Sequence, residues 1–397
     1  MQEVVKKIRE KARDYEPDMV KFLRDIIAIP SESCQEKEVV QRIKEEMEKV
    51  GFDQVQIDPM GNILGRVGSG SRIIAYDAHI DCVGVGNPDE WQWDPFQGKM
   101  EDGVIYGRGA CDQKSGMAAM VYAGKVIKDL DLHEDFTLYF VGTVQEEDCD
   151  GLCWQYIVRE GGLKPEFVVI TEPTNLNIYR GQRGRMEMKI ITEGISCHGS
   201  APERGVNSIY RMAPIIQGIK ELNTRLHEDE FLGRGTVALT HITNETPSLN
   251  AIPNQTVSYL DRRLTDGEDK ELAISQVREV IENTESDARI EMLHYNTPSY
   301  TGLVYPTEKY YPTWVVPPGH PVIGSATTAF KDLFEREPLV DKWNFSTNGV
   351  AIMGLLDIPC LGFGPGNEIY AHTVNDQVPV EDLWQAAAFY AHLPHTV

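Results

Sequence analysis

Five residues of metal-ligand type stand in five short blocks of the chain. They are His79 in AYDAHIDCVG, Asp112 in IYGRGACDQKSG, Glu147 in TVQEEDCDG, Glu172 in ITEPT and His372 in FGPGNEIYAHTVND. Most of these blocks read as an apolar strand that ends abruptly in acid, His or Gly. An α/β protein places its chemistry there, in the crevice outside the carboxyl ends of its strands. Two imidazoles and three carboxylates are one donor more than a single tetrahedral zinc ion takes, and they suit two divalent ions sharing a bridging carboxylate. Taken singly, each is an ordinary hydrogen-bonded turn residue. The joint pattern gains weight from Glu146, beside Glu147. Neighbouring side chains on an extended strand point to opposite sides, so one carboxylate can hold metal while the other faces substrate as general base. Asp81, two residues beyond His79, falls on the same side of its strand and is placed to hydrogen-bond the second imidazole nitrogen. Gly364 and Gly366 in GFGPG allow a close approach of backbone to substrate. A carboxylate pair also serves glycoside hydrolysis, but that chemistry has no role for His79 and His372.

The elements around these blocks alternate in the first part of the chain. Residues 3–29 and 36–50 show helical periodicity, DQVQIDP, NILGRVG and RIIAYDAHI read as strands, and a helix over Lys114–Lys128 opens just after the Asp112 block. FTLYFVGTVQ and FVVITEP are further strands, so the pattern is an α/β sheet layered by helices. After the RGQRG turn the order becomes strand, helix, two strands, helix, strand: RMEMKIITEG, Val206–Leu226, GTVALTHIT, QTVSYLDRRL, Asp269–Ser286 and ARIEMLHY. That βαββαβ order is ferredoxin-like. The expected organisation is a catalytic domain in two pieces, residues 1–183 and 295–397, with residues 184–294 inserted as a separate domain. Asn296–Pro321, rich in Tyr, Thr and Pro, reads as a long ordered excursion. A helix over Ala326–Glu335, the strand and turn IPCLGFGPG and a closing helix over Val380–His392 complete the fold.

Composition narrows the partners. A chain of 397 residues is long for one core. Thirty-eight Lys and Arg against 61 Asp and Glu give a formal charge of −23 with no basic block, which argues against nucleic acid and anionic membrane surfaces. No apolar run is long enough to span a bilayer. The N-terminal stretch has no signal-peptide pattern, and seven scattered Cys suit a reduced, cytoplasmic protein. Cys82, Cys111, Cys149 and Cys197 lie beside the site blocks and read as small buried side chains. Cys149 and Cys153 have no second pair with which to complete a structural zinc site.

The run DEWQWDPFQGKMEDGVIYGRGACDQKSG, with HID, QEED, EPT, CHGSAPERG, NAIP and GPG…AHTVND, resembles the signature of the two-zinc amidohydrolase and exopeptidase family in order and spacing. That family includes acetylornithine deacetylase, succinyl-diaminopimelate desuccinylase, aminoacylase and carboxypeptidase G. RGQRGRME, SCHGSAPERG and TVQEEDCDGLCWQYI look most like its selenium-metabolism-linked branch. The resemblance implies one metal on His79, Glu172 and one oxygen of Asp112, and the other on His372, Glu147 and the second oxygen of Asp112. Zn is the implied metal, with Co or Mn as alternatives. It implies Glu146 as the general base, a cis peptide between Asp112 and Gln113, and a lid and dimerisation role for residues 184–294, with a homodimer through this inserted domain. His198 would then reach the partner's site as an oxyanion donor, and Asn250 and Arg263 would contact substrate, Arg263 through a bidentate grip on a carboxylate. An Arg263 pairing with Asp261, on the same face of its strand, is the competing expectation. STNG at 346–349 matches a substrate loop of the family. Gln113 and Ser115 depart from the family's Asp-Met-Lys-Gly-Gly, and Gln145 departs before the Glu pair. The implied activity is hydrolysis of a C–N amide bond in a small carboxylate-bearing substrate, by a deacylase or dipeptidase. The alternatives are an N-carbamoyl amino acid hydrolase and a non-catalytic metal-binding homologue. Glu146 weighs against the last.

Overall fold

A computed structural model describes every residue except Met1, Glu134 and Glu285. Glu285 falls inside the helix expected over Asp269–Ser286 and so lies outside the described residues. The β-branched and aromatic runs IIAYDA, TLYFVG and FVVI form the middle of a mixed sheet, nine-stranded among the described residues. Arg72–His79 pairs in parallel with Phe136–Thr143 on one side and with Phe167–Ile170 on the other. Phe167–Ile170 in turn pairs in parallel with Cys360–Gly362. These four strands run the same way. The register sets His79 opposite Thr143, Asp77 opposite Ile170 and Gly362 opposite Ile170. Their carboxyl ends therefore open on one edge, and each is followed within a few residues by a site block. Gln54–Ile57 and Ile63–Gly68 extend the sheet antiparallel on one flank. Ile178–Gln182, Trp314–Val315 and Val340–Trp343 extend it on the other.

Helix Ser115–Asp129, rich in Ala, Gly and Met, is buried on nearly every side, as a helix apolar all round must be. Val380–His392 packs along it, and the N-terminal helices pack on these two. The amphipathic stretch expected over residues 3–29 is two helices, Gln2–Asp14 and Glu16–Ile27, broken at Tyr15. Pro17 explains the break: it has no N–H to donate and is tolerated only in a first turn.

The inserted segment forms its own antiparallel sheet in the order Thr236–Glu245, Gln255–Leu264, Gly184–Glu193, Ala288–Met292. Helices Ser208–Leu222 and Lys270–Asn283 cover one face. Burial alternates at every residue of Gln255–Leu264, the signature of a sheet with one face packed. Met186, Met188, Ile190, Met212, Ile215 and Leu260 belong to a core separate from that of the larger sheet. This is the ferredoxin-like arrangement. The Tyr- and Pro-rich excursion is more than a loop: Tyr310–Tyr311 pairs with Gly184–Glu193 and Trp314–Val315 with Ile178–Gln182, so it stitches the two sheets together. Two-residue strands are too short to show an alternating pattern in sequence. No helix among the described residues is long and apolar enough to cross a membrane.

Candidate active site

The strand ends converge on a cavity of 360 Å³ lined by His79, Asp112, Glu146, Glu147, Glu172 and His372, with Asp150, Arg185, Arg263, Phe345, Ser346, Glu368 and Ala371 around them. Asp112 stands between two histidines. Its Oδ1 lies 2.7 Å from His79 Nε2, and its Oδ2 lies 3.3 Å from His372 Nε2. Glu172 Oε1 is 3.4 Å from the same nitrogen of His79, and Glu147 Oε2 is 2.9 Å from that of His372. Two triads result, His79–Asp112–Glu172 and Asp112–Glu147–His372, each with donor atoms within 4.8 Å of one another. The two oxygens of Asp112 serve different triads.

The chain around Asp112 is held by groups that sequence reasoning passed over. Asp376 accepts hydrogen bonds from the N–H groups of Gly109 (2.7 Å) and Cys111 (2.8 Å) and pairs with Arg108 at 3.2 Å. The peptide between Asp112 and Gln113 is cis. A small sheet of Lys99–Glu101, Val104–Tyr106 and Gln377–Pro379 brings the HTVND block to this turn. The ND of that block was the available signal, but in so acidic a chain an Asp after a turn looks like surface.

Asp81 differs from expectation. His79 Nδ1 lies 2.9 Å from the main-chain oxygen of Asp81 and 3.6 Å from its carboxylate. The carboxylate instead accepts from the N–H groups of Glu146 (3.2 Å) and Glu147 (3.1 Å) and from Ser33 Oγ (2.6 Å). The strand ends at His79, so the alternation that would have set both side chains on one side no longer applies at Asp81. Asp81 thus orients His79 through its backbone and the Glu pair through its side chain.

Glu146 is buried, and its Oε1 has no hydrogen-bond partner. Burial, with Asp150 and the ligand carboxylates adding to it against His79, pushes Glu146 well above the usual carboxylate range. Burial and Asp112 push Glu172 up to about 8 and raise Glu147. Burial also pushes up Asp112, but the flanking His372 and His79 prevail and hold it well below its ordinary value. Acids crowded in this way call for cations. The donor set of imidazole and carboxylate suits Zn²⁺-type ions, and the unpartnered Oε2 of buried Glu172 is a further free donor beside them. The residues fit a pair of divalent ions.

Arg263 lines the cavity while making a bidentate pair with Asp261 (2.8 and 3.1 Å). His198 and Asn250 do not line it. Their loops meet on the exposed tip of the inserted domain, where His198 bridges Ala251, Gly199 N donates to Asn250 O at 2.7 Å, and Ser200 N donates to His198 Nδ1. Gly364 and Gly366 do not line the cavity either. A Cβ at Gly364 would sit 2.1 Å from the main-chain oxygen of Glu172, and Gly366 adopts φ +79° beside Cys111. The close approach that Gly364 permits is to the protein's own backbone, while Gly366 answers to its positive φ and the Cys111 side chain. In the STNG block Ser346 faces the cavity, whereas Asn348 is buried and donates to Asp77 and Thr143. The three departures from the family pattern also point inward. Gln113 accepts from Thr171, Ser115 contacts Cys111 O, and Gln145 donates to Tyr295.

A mixed sheet with its parallel-strand ends converging on two carboxylate-bridged triads defines a dinuclear metallohydrolase. Residues 75–396 match the family described as Peptidase family M20/M25/M40, and the chain belongs to it. It is 55% identical to the "Uncharacterized protein YgeY" of Escherichia coli over 98% of this chain and 96% of that one. It is 24% identical to a "Probable succinyl-diaminopimelate desuccinylase" of Staphylococcus epidermidis over 91% and 93%. The fold is shared with the YXEP protein of Bacillus subtilis, described as a dinuclear metal binding peptidase, at a TM-score of 0.71 and 16% identity over 96% and 98% of the two chains.

Proposed function

We propose that this hydrolase cleaves the C–N amide bond of a small carboxylate-bearing substrate, as an N-acyl amino acid deacylase or a dipeptidase, with Glu146 as general base. One observation carries the reading: in a single cavity, two triads share Asp112, and a buried carboxylate with a free oxygen lies beside them without belonging to either. His79, Asp112 and Glu172 would hold one ion and Asp112, Glu147 and His372 the other, zinc by the donor set, with cobalt or manganese compatible. Two such ions supply Lewis acidity towards a carbonyl oxygen and a water acidified towards neutrality. Glu146 Oε1 takes the proton of the attacking water and returns it to the departing amine. Its main-chain N–H is pinned by Asp81, so the base keeps its place while it changes protonation. Arg263 offers a guanidinium at the cavity wall for a substrate carboxylate.

His198, exposed on the tip of the inserted domain, serves in this reading as the oxyanion donor of a partner subunit's site, with Asn250 beside it. Support for such a homodimer comes from Ile195, Tyr210, Ile242 and Leu249, apolar side chains of the inserted domain that lie open to solvent. Residues 184–294 form the lid and dimerisation unit, supported by their separate core. The seven free Cys favour the reducing cytoplasm. The test is an assay of metal-reconstituted enzyme against N-acetyl, N-succinyl and N-carbamoyl amino acids and dipeptides. Amine release from an acyl amino acid or a dipeptide, abolished by chelation, is expected. Release from N-carbamoyl substrates alone would replace the acyl reading, and release from none would overturn it.

A further inference from the structure

Three charged residues of the cavity wall, Asp150, Arg185 and Glu368, have no part in the chemistry above, and the first two stand together. Asp150, almost wholly buried, follows the Glu pair on the same turn. Arg185 comes from the first strand of the inserted domain, Gly184–Glu193. They meet through a single contact, Arg185 Nη2 to Asp150 Oδ1 at 3.4 Å. A guanidinium and a carboxylate left to themselves often close into a two-bonded fork. These do not. Asp150 Oδ2 and Arg185 Nε are both buried and both without a hydrogen-bond partner. Buried polar atoms are rarely left so, since each carries a desolvation cost unless something fills its need.

Neither side chain is free to swing away. The guanidinium lies over the Tyr311 ring at 4.7 Å, and Tyr311 is paired with Arg185 across the strands. The turn that carries Asp150 is fixed by Tyr311 Oη donating to Cys149 Sγ (3.4 Å) and by Gly151 N donating to Asn348 Oδ1 (2.9 Å). The wall therefore holds, side by side and rigidly, one anionic acceptor and one cationic donor with unused capacity, next to Glu146. A ligand that satisfies both offers a cationic N–H group and an anionic oxygen a few ångström apart. An ammonium and a carboxylate on one carbon have that spacing, and a cavity of 360 Å³ has room for a small metabolite of this kind.

We propose that Asp150 and Arg185 form a subsite for the free α-amino and α-carboxylate groups of an amino acid, Asp150 accepting from the ammonium and Arg185 donating to the carboxylate. This rests on the amide-hydrolase reading and narrows it. The preferred substrate is an amide formed on a side-chain amine of a diamino acid, with its own α-amino group left free. The released product keeps both groups bound at this wall.

Calorimetric titration of the metal-reconstituted enzyme with ornithine, its methyl ester and its Nα-acetyl derivative tests the subsite without any turnover. In the wild type each blocked ligand is expected to bind about 10- to 100-fold more weakly than ornithine, the loss of one charge-assisted hydrogen bond. Asp150→Asn should lose affinity for ornithine and no longer distinguish it from the Nα-acetyl form, while still rejecting the ester. Arg185→Gln should show the reverse. Equal binding of all three ligands by the wild type, or no binding of ornithine, overturns the subsite and leaves the pair as a contact between the two domains. The wild-type comparison needs no variant, so a variant that fails to fold does not spoil it. In parallel, Nδ-acyl ornithine should be cleaved with at least a tenfold higher kcat/KM than its Nα-acyl isomer. Cleavage of neither isomer, with selective ornithine binding intact, would count against the amide-hydrolase reading and not against the subsite.

Discussion

The carboxyl edge of the larger sheet and the tip of the inserted domain carry the two groups of residues that the family pattern marks, and they treat polar atoms in opposite ways. At the sheet edge His79, Asp81, Asp112, Glu146 and Glu172 are buried, Glu147 is half-buried and His372 is exposed, and the carboxylates are braced: Asp112 by the turn that Asp376 holds, Glu146 and Glu147 by Asp81. At the tip, His198 and Asn250 are exposed and bonded only to residues of the same loops. Rigid support suits groups that must act at a fixed geometry within one chain. Exposed groups with local bonds suit a surface completed from outside. On the proposed reading, one region is a finished centre and the other is half of a contact.

The largest effect should come from the finished centre. Glu146→Gln is expected to lower kcat about 10²- to 10⁴-fold with metal content and thermal unfolding unchanged; wild-type turnover in this variant would move the base elsewhere. Next comes the separateness of the two cores. The fully buried pair Arg262–Glu268 (2.6 Å) lies in the inserted domain. Arg262→Leu leaves a buried carboxylate unpaired and should cost about 3–5 kcal/mol. In calorimetry it should split off a low-temperature transition, while the larger sheet melts as before. A single transition shifted as a whole would mean that the two cores unfold as one. A smaller effect is expected one layer behind the ligands. Asp376→Asn should weaken metal binding about 10- to 100-fold, read by competition with a chelating dye, and unaltered affinity would reduce Asp376 to a fold contact. The smallest signal tests the unfinished region. Mixing inactive Glu146→Gln and inactive His198→Ala chains should restore at most about a quarter of wild-type activity, since half of the dimers are mixed and each has one whole site. No recovery after proven subunit exchange would place His198 outside the partner's chemistry.

The cluster of candidate ligands was legible because its residue types are rare at the ends of apolar strands and each stood in a recognisable block. The inserted domain was legible because its strands are long enough to alternate, as Gln255–Leu264 does. What escaped was whatever depended on a neighbour far away in sequence. Asp150 and Arg185 are ordinary acid and base until the fold sets them side by side. Asp376 is one acid among 61 acidic residues until two N–H groups point at it. Gly364 was read for the wrong partner, because sequence shows that a backbone must pass closely and not what it passes. The strands Ile178–Gln182 and Val340–Trp343 carry Arg, Gln, Asp and Lys among their residues and gave no apolar signal.

The strand Cys360–Gly362 lies inside the larger sheet, between Phe167–Ile170 and Ile178–Gln182, although the whole inserted domain and a further stretch of chain separate it from them in sequence. Synthesis from the N-terminus therefore presents the parts in an uneven order. When residue 295 has emerged from the ribosome, every strand of the inserted domain exists and can find its neighbours, while the larger sheet still has a gap in its middle. The loop that must close around the gap is long, and such contacts form late. The last candidate ligand, His372, follows the gap-filling strand by ten residues. Until then the nascent chain holds four of the five candidate donors on an incomplete edge, so the centre comes together only once residue 372 has been made.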